Sequence, residues 1–178
     1  YMRDCKISSV YEGTNGIQAM DLVGRKMRQK GGALFMGYVQ ELAGFLESIA
    51  GVEALAPVHK HLSKAQASLG EVAFWLSSTA GKDRSLAMLQ ATPFLELFGD
   101  IMVGHTLAEQ ALIAVRALEA RCGTAAPTRE QQEADAELAF YAGKVAVARF
   151  FANEVLLGAP SKAKSMTSGE AAALSVVL

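Results

Sequence analysis

The residues best suited to chemistry in this chain lie in one glycine-rich segment, Tyr-Glu-Gly-Thr-Asn-Gly-Ile-Gln, at positions 11–18. Glu12 carries a carboxylate between a tyrosine and a flexible turn, so it can swing toward a substrate as a general base must. A helical pattern follows directly, and the dipole of that helix favours the ionised carboxylate, whereas burial beside an apolar substrate would raise its pKa. The alternative interpretation is a surface glutamate that stabilises a helix start. The residue type alone leaves both open.

The backbone of the same turn could bind an anion. Gly13, Thr14, Asn15 and Gly16 lie where a helix is predicted to begin, and unpaired N–H groups at such a start bind phosphate or pyrophosphate. The segment is not a Walker loop, because no Gly-Lys-Ser/Thr follows it, and no strand precedes a complete Gly-x-Gly-x-x-Gly. An ordinary capped turn is the alternative.

The histidines and cysteines suggest little further chemistry. His59 and His61 are two residues apart on a predicted helix, so an exposed helix turn is a better interpretation than a metal pair. His105 falls on an apolar stripe, which is typical of a core or interface histidine with satisfied hydrogen bonds. Cys5 and Cys122 fit no metal or redox spacing. We therefore predict no metal site and two free thiols, as in cytoplasmic proteins.

Composition excludes some classes of partner. Apolar residues make up 51% of the 178 and charged residues 20%, and the net charge is −1, so no electrostatic footprint for nucleic acid is expected. A small basic cluster, Arg25, Lys26, Arg28 and Lys30, is typical of charges near a helix C-terminus, with contact to a nucleotide phosphate as the alternative. A membrane span would need about 20 consecutive apolar residues, and we expect none.

The elements that must position these residues are predicted to be helical. Residues 1–16 lack helical periodicity and favour a loop or extended segment, and a capping box of Asn15 and Gln18 predicts a helix from near Gly16 to the glycines at 31–32. Apolar spacings of three and four predict further helices over about 33–50, 52–80, 83 to a break before Pro93, 92 to the loop at 123–127, and 128–157. Thr92 and Pro93 predict a helix start with proline at the first helical position, and Thr128 with Gln131 predicts a capping box for the last helix. The fold class is therefore all-α, a helical bundle of about four to five long helices preceded by a short loop or extended segment.

The order and spacing of several motifs resemble the acyl-CoA dehydrogenase family. In that family an Arg-Asp-Ala-Lys/Arg-Ile run leads into Tyr-Glu-Gly-Thr and a helix that carries Ile-Gln. The corresponding residues are Met2-Arg3-Asp4-Cys5-Lys6-Ile7, Tyr11-Glu12-Gly13-Thr14 and Ile17-Gln18, followed by Val23-Gly24-Arg25. The remainder resembles the extra helical domain appended to a large bacterial subgroup. We therefore expect the carboxy-terminal piece of a larger enzyme, with residues 1–30 ending the dehydrogenase core and 31–178 forming an appended C-terminal helical bundle domain.

The resemblance implies a role for each residue of the turn. Glu12 would be the base that removes the α-proton of an acyl-CoA thioester, and Gly13 would lie against the acyl group. Thr14, Asn15 and Gly16 would contact FAD near its pyrophosphate. The family often has glutamine at the position of Gly16, so contact there can come only from the backbone.

The resemblance also implies partners and a setting. These are an acyl-CoA substrate, FAD, electron-transfer flavoprotein as acceptor, a homodimer or homotetramer, and fatty acid β-oxidation. The domains that build the flavin and substrate pockets in the family are missing from this sequence, so we expect the 178 residues to be inactive alone. The alternative is a stand-alone α-helical oligomerisation or scaffold module in which Glu12 merely caps a helix.

Overall fold

The computed structural model describes residues 4, 5, 7 and 14–176. The α-helices in that part are α1 (Asn15–Gly24), α2 (Ala33–Ile49), α3 (Ala56–Ala80), α4 (Arg84–Leu89), α5 (Ala91–Cys122), α6 (Arg129–Ala134), α7 (Ala136–Glu154) and α8 (Ala159–Thr167). Short 3-10 segments cover Lys26–Gly32, Glu53–Leu55, Leu156–Gly158 and Ala172–Ser175. The described residues contain no strand, so the all-α bundle is confirmed. Asp4, Cys5 and Ile7 are helical, where the sequence predicted a loop or extended segment.

Local side-chain chemistry sets several helix starts. The capping box predicted at Thr128 is confirmed, because the Gln131 N–H donates to Thr128 Oγ1 at 3.2 Å and the Thr128 N–H donates to Gln131 Oε1 at 2.8 Å. Asp135 starts α7 in a similar way by accepting from the Glu137 N–H at 2.9 Å. These caps satisfy N–H groups that no helical carbonyl can reach.

The start of α1 differs from the prediction. Thr14 is the N-cap residue, Asn15 is already helical, and none of the described side chains caps the helix. The predicted capping box of Asn15 and Gln18 is therefore wrong, and the Gln18 N–H donates instead to the Thr14 carbonyl at 2.8 Å. The helix ends at Gly24, earlier than expected, and a kink follows in which Lys30 takes a φ of 51°.

The break before Pro93 is confirmed, although the helices meet slightly earlier than expected. Helix α4 ends at Leu89 and α5 begins at Ala91, which places Pro93 in the first turn rather than at the first position. Proline costs no hydrogen bond there, because the first N–H groups of a helix have no partner within it. The first helical bond is the one from the Phe94 N–H to the Gln90 carbonyl, at 2.9 Å.

Helix α5 forms the centre of the bundle and packs against α1, α3, α7 and α8. Phe94, Leu97, Ile101, Ala108 and Leu118 are each 0% exposed and line its inner faces. Helix α5 has 32 residues and is long and apolar enough to span a membrane by length and composition, but half of the window that passes this test is buried inside the bundle. A buried core helix passes the same test.

Candidate functional site

The structure describes only part of the predicted site. Glu12 and Gly13 lie outside the described residues, so their roles stay predictions. Thr14, Asn15 and Gly16 form the start of α1, where Thr14 is half-buried and the other two are exposed.

The start of α1 presents free backbone donors. Within the part of the chain that the structure describes, no side chain caps this end and no acidic residue lies in its first turn, so the N–H groups of Asn15 and Gly16 have no helical partner. A Cβ added at Gly16 would meet nothing within 4 Å among the described residues. An exposed, uncapped helix start fits a pyrophosphate held by backbone N–H groups, with the helix dipole favouring its charge.

Packing against the bundle fixes the position of α1. Ala19 is 0% exposed and Val23 is 7% exposed, and the helix packs against α5. On its outer face Arg25 donates to both carboxylate oxygens of Asp21, at 2.6 and 2.7 Å. This hydrogen bonding lowers the pKa of Asp21 and raises the pKa of Arg25. Arg25 is exposed and Asp21 is half-buried at the surface, so the pair orders the helix surface more than it stabilises the fold.

Sequence reasoning missed a cavity of about 730 Å³ between α1, α2, α3 and α4. We call it the α1–α4 cavity; it is lined by residues of α1 and the kink after it, by Phe35, Met36 and Val39 of α2, by one face of α3, and by Arg84 and Met88 of α4. Its volume is typical of small-molecule sites. The available signal was the row of small residues at Gly70, Ala73, Ser77 and Ala80, whose spacing places them on one helix face.

A second cluster lies where α2 and α5 meet. His105 is 5% exposed, and neither its Nε2 nor the buried Oη of Tyr38 has a hydrogen-bond partner among the described residues. The rings of Phe45 and Tyr38 lie 4.8 and 6.0 Å from the His105 ring, and Glu109 Oε1 lies 3.9 Å from Nε2. His105 is thus buried as predicted, but its Nε2 is not satisfied by any described residue.

The other histidines do not form a site. His61 is 8% exposed, so the expected exposed turn is wrong for this residue, and burial lowers its pKa. No group of three or more His, Cys, Asp or Glu side chains that could hold a metal ion occurs among the described residues.

Comparison with known proteins agrees with the family that the sequence motifs resemble. The model of the family described as acetyl-CoA dehydrogenase C-terminal like matches residues 38–176. The broad-specificity linear acyl-CoA dehydrogenase FadE5 of Mycobacterium tuberculosis is 39% identical over 165 residues, covering 88% of this chain and 25% of that protein. The 3-methylmercaptopropionyl-CoA dehydrogenase of Ruegeria pomeroyi is 32% identical over 158 residues (88% and 24%). A butyryl-CoA dehydrogenase of Syntrophomonas wolfei is 30% identical over 172 residues (97% and 26%). The chain therefore spans about a quarter of the length of these relatives.

Proposed function

Because the chain belongs to the acetyl-CoA dehydrogenase C-terminal-like family, we propose that it is the carboxy-terminal part of an FAD-dependent acyl-CoA dehydrogenase. That enzyme would oxidise an acyl-CoA thioester to the 2,3-enoyl-CoA. The observation that carries the proposal is the continuity between the Tyr11–Thr14 motif and the uncapped helix that starts at Asn15. Each of the relatives compared above is named for the oxidation of an acyl-CoA, which supports this substrate class.

Glu12 would supply the base. The α-proton of a thioester is too weakly acidic for a carboxylate in water, so the developing enolate needs hydrogen bonds at the carbonyl and a site that excludes water. In such a site the Glu12 carboxylate takes the α-proton, and Gly13 lies against the acyl group because it has no side chain to occupy that space. When bound, FAD supplies the acceptor for the hydride that leaves the β-carbon.

Thr14, Asn15 and Gly16 would hold the cofactor. The exposure of Asn15 and Gly16, together with a start of α1 that no described side chain caps, supports backbone contact with the FAD pyrophosphate. Anchoring by Ala19 and Val23 supports a fixed position for these donors, as a preorganised anion site requires.

The proposal extends to assembly and setting. We infer a cytoplasmic homodimer or homotetramer that passes electrons to electron-transfer flavoprotein. An exposed apolar face of α7 supports an assembly, because Phe140, Val147 and Phe150 are 58%, 51% and 68% exposed. A row of this kind on one helix face is typical of a contact surface.

The test is Glu12→Gln in the longer natural enzyme. Loss of the base should lower acyl-CoA-dependent flavin reduction about a hundredfold to ten-thousandfold, while the bound flavin spectrum is retained. Rapid mixing with an acyl-CoA under anaerobic conditions measures the step directly. Glu47→Gln, on the exposed side of α2, is the matched control. Unchanged reduction in the Glu12 variant would contradict the assignment of Glu12 as the base.

A further inference from the structure

The α1–α4 cavity has an apolar interior with room for a ligand. Met27, Phe35 and Met88 line it from three different elements. Helix α3 contributes the face that carries Gly70 and Ala73, and a Cβ added at Gly70 would meet nothing within 4 Å. The cavity volume of about 730 Å³ therefore arises where the helices carry short side chains and cannot fill the space between them.

The charged side chains among the described residues that line this cavity are both arginines. Arg28 from the kink and Arg84 from the first turn of α4 both line it, and both are exposed. Neither arginine forms an ion pair within the described part of the chain, whereas Arg25 nearby is neutralised by Asp21. Among the described residues that line the cavity, none is acidic.

This combination selects the chemistry of a ligand. An apolar interior accommodates a hydrocarbon tail, and two guanidinium groups favour a carboxylate through paired, charge-assisted hydrogen bonds. Ser77 is the one uncharged polar side chain among the described residues of the lining, too few hydrogen-bonding groups to specify a nucleotide base.

We propose that the α1–α4 cavity binds a single-chain amphiphile with an anionic head, of the long-chain fatty carboxylate class. The tail lies between the α3 face at Gly70 and the methionines of the opposite walls, and the head meets Arg28 and Arg84. The proposal concerns the cavity of this chain alone and does not rest on the dehydrogenase reaction.

Titration calorimetry of the 178-residue chain with dodecanoate, below its micelle concentration, tests the proposal. We expect saturable binding of one dodecanoate per chain, and about threefold to tenfold weaker binding of dodecan-1-ol, which has the same tail without the charge. In the double variant Arg28→Gln/Arg84→Gln, the affinity for dodecanoate should fall to the affinity that the parent has for dodecan-1-ol. Lys60→Gln, an exposed cation of α3 outside the cavity, should leave it unchanged.

A second variant tests the tail site without removing charge. Gly70→Leu places a side chain in the cavity without a clash and gains helix propensity, so it should fold and weaken dodecanoate at least tenfold. Gly37→Leu in α2, which also has open space at its Cβ and lies outside the cavity, is the matched control. The proposal would be overturned if the two leucine variants bound dodecanoate equally well. It would also be overturned if Arg28→Gln/Arg84→Gln bound dodecanoate as tightly as the parent.

The same titration in the longer natural polypeptide separates a ligand from an intramolecular contact. Binding in both proteins, with the same response to Gly70→Leu, supports the amphiphile site. Binding by the 178-residue chain that disappears in the longer polypeptide would assign the cavity to another segment of that polypeptide and overturn the proposal.

Discussion

Gly16 contributes to the proposed cofactor site through what it lacks. Gly16 lies at a helix start that no described side chain caps, which leaves its backbone N–H accessible, and a Cβ there would meet no described atom within 4 Å. The proposed contact between residue 16 and the FAD pyrophosphate therefore depends on the backbone N–H and on the charge of any side chain introduced at this position.

This leads to a paired prediction for the longer enzyme. Gly16→Ala should retain FAD, because its methyl group leaves the N–H in place. Gly16→Glu should bind FAD at least about tenfold more weakly, because a carboxylate would repel the pyrophosphate at the point where the helix dipole attracts it. Flavin fluorescence titration of the apoenzyme measures both. Equal affinity in the two variants would contradict a pyrophosphate contact at this helix start.

Ionisation of the Tyr38 hydroxyl makes the stability of the fold depend on pH. Burial, with added repulsion from Glu41 and Glu109, raises the pKa of Tyr38 to about 12. Because this pKa is raised above the unfolded value of about 10, the stability it contributes is fully present below pH 10 and is lost as the pH rises toward 12.

Tyr38→Phe should therefore flatten the decline of stability above pH 10. At neutral pH the substitution should change the free energy of unfolding by less than about 1 kcal/mol, because the Oη has no hydrogen-bond partner to lose. Urea unfolding at intervals from pH 7 to pH 11.5 measures both effects. The same alkaline decline in variant and parent would show that Tyr38 ionises without cost in the folded state.

At the scale of elements, the packing of α5 against the 3-10 segment after α7 depends on a close approach between Gly104 and Leu156. A Cβ added at Gly104 would lie 2.7 Å from Leu156 Cδ1, and Leu156 is 1% exposed. The leucine can fill this part of the core only because residue 104 has no side chain.

Gly104→Ala should consequently destabilise the protein by about 1–3 kcal/mol through overpacking. Gly99→Ala is the control in the same helix, because its Cβ meets nothing within 4 Å and alanine should add up to about 1 kcal/mol by helix propensity. Denaturant unfolding of both variants measures the difference.

A double-mutant cycle identifies the contact. In a Leu156→Ala background the cost of Gly104→Ala should fall by at least about 1 kcal/mol, since the clashing carbons are gone. A cost that stays the same in both backgrounds would mean that Leu156 is not the group that alanine displaces.

For the whole molecule, the core and the proposed chemistry have different requirements. Buried side chains from every α-helix except α6 form one continuous core, so the 178-residue chain has the means to fold by itself. The proposed reaction needs substrate and flavin pockets, and the chain spans only about a quarter of the length of its relatives.

We therefore expect the 178-residue chain to unfold cooperatively and yet show no acyl-CoA-dependent turnover when FAD is added. Thermal unfolding followed by circular dichroism and a dye-reduction assay measure the two properties. Turnover by the chain alone would contradict the placement of the pockets elsewhere in a longer enzyme.

The sequence by itself determined the helical class, the break before Pro93 and the Thr128 cap, because apolar spacing, proline and capping side chains act within a few residues. Its motifs also indicated the family before any comparison. The residue types at the start of α1 predict Asn15 as the cap, but in the structure Thr14 is the N-cap and Asn15 is already part of the helix that packs on α5.

Only the tertiary structure decided what depends on distant residues meeting. The α1–α4 cavity requires four helices to come together around short side chains, and the requirement for glycine at 104 depends on Leu156, far along the chain. The unsatisfied pair Tyr38 and His105 likewise arises where α2 meets α5. Packing between distant segments determines which polar groups are buried away from water and where cavities remain. Local sequence patterns predict neither of these, because they reflect interactions within only a few residues.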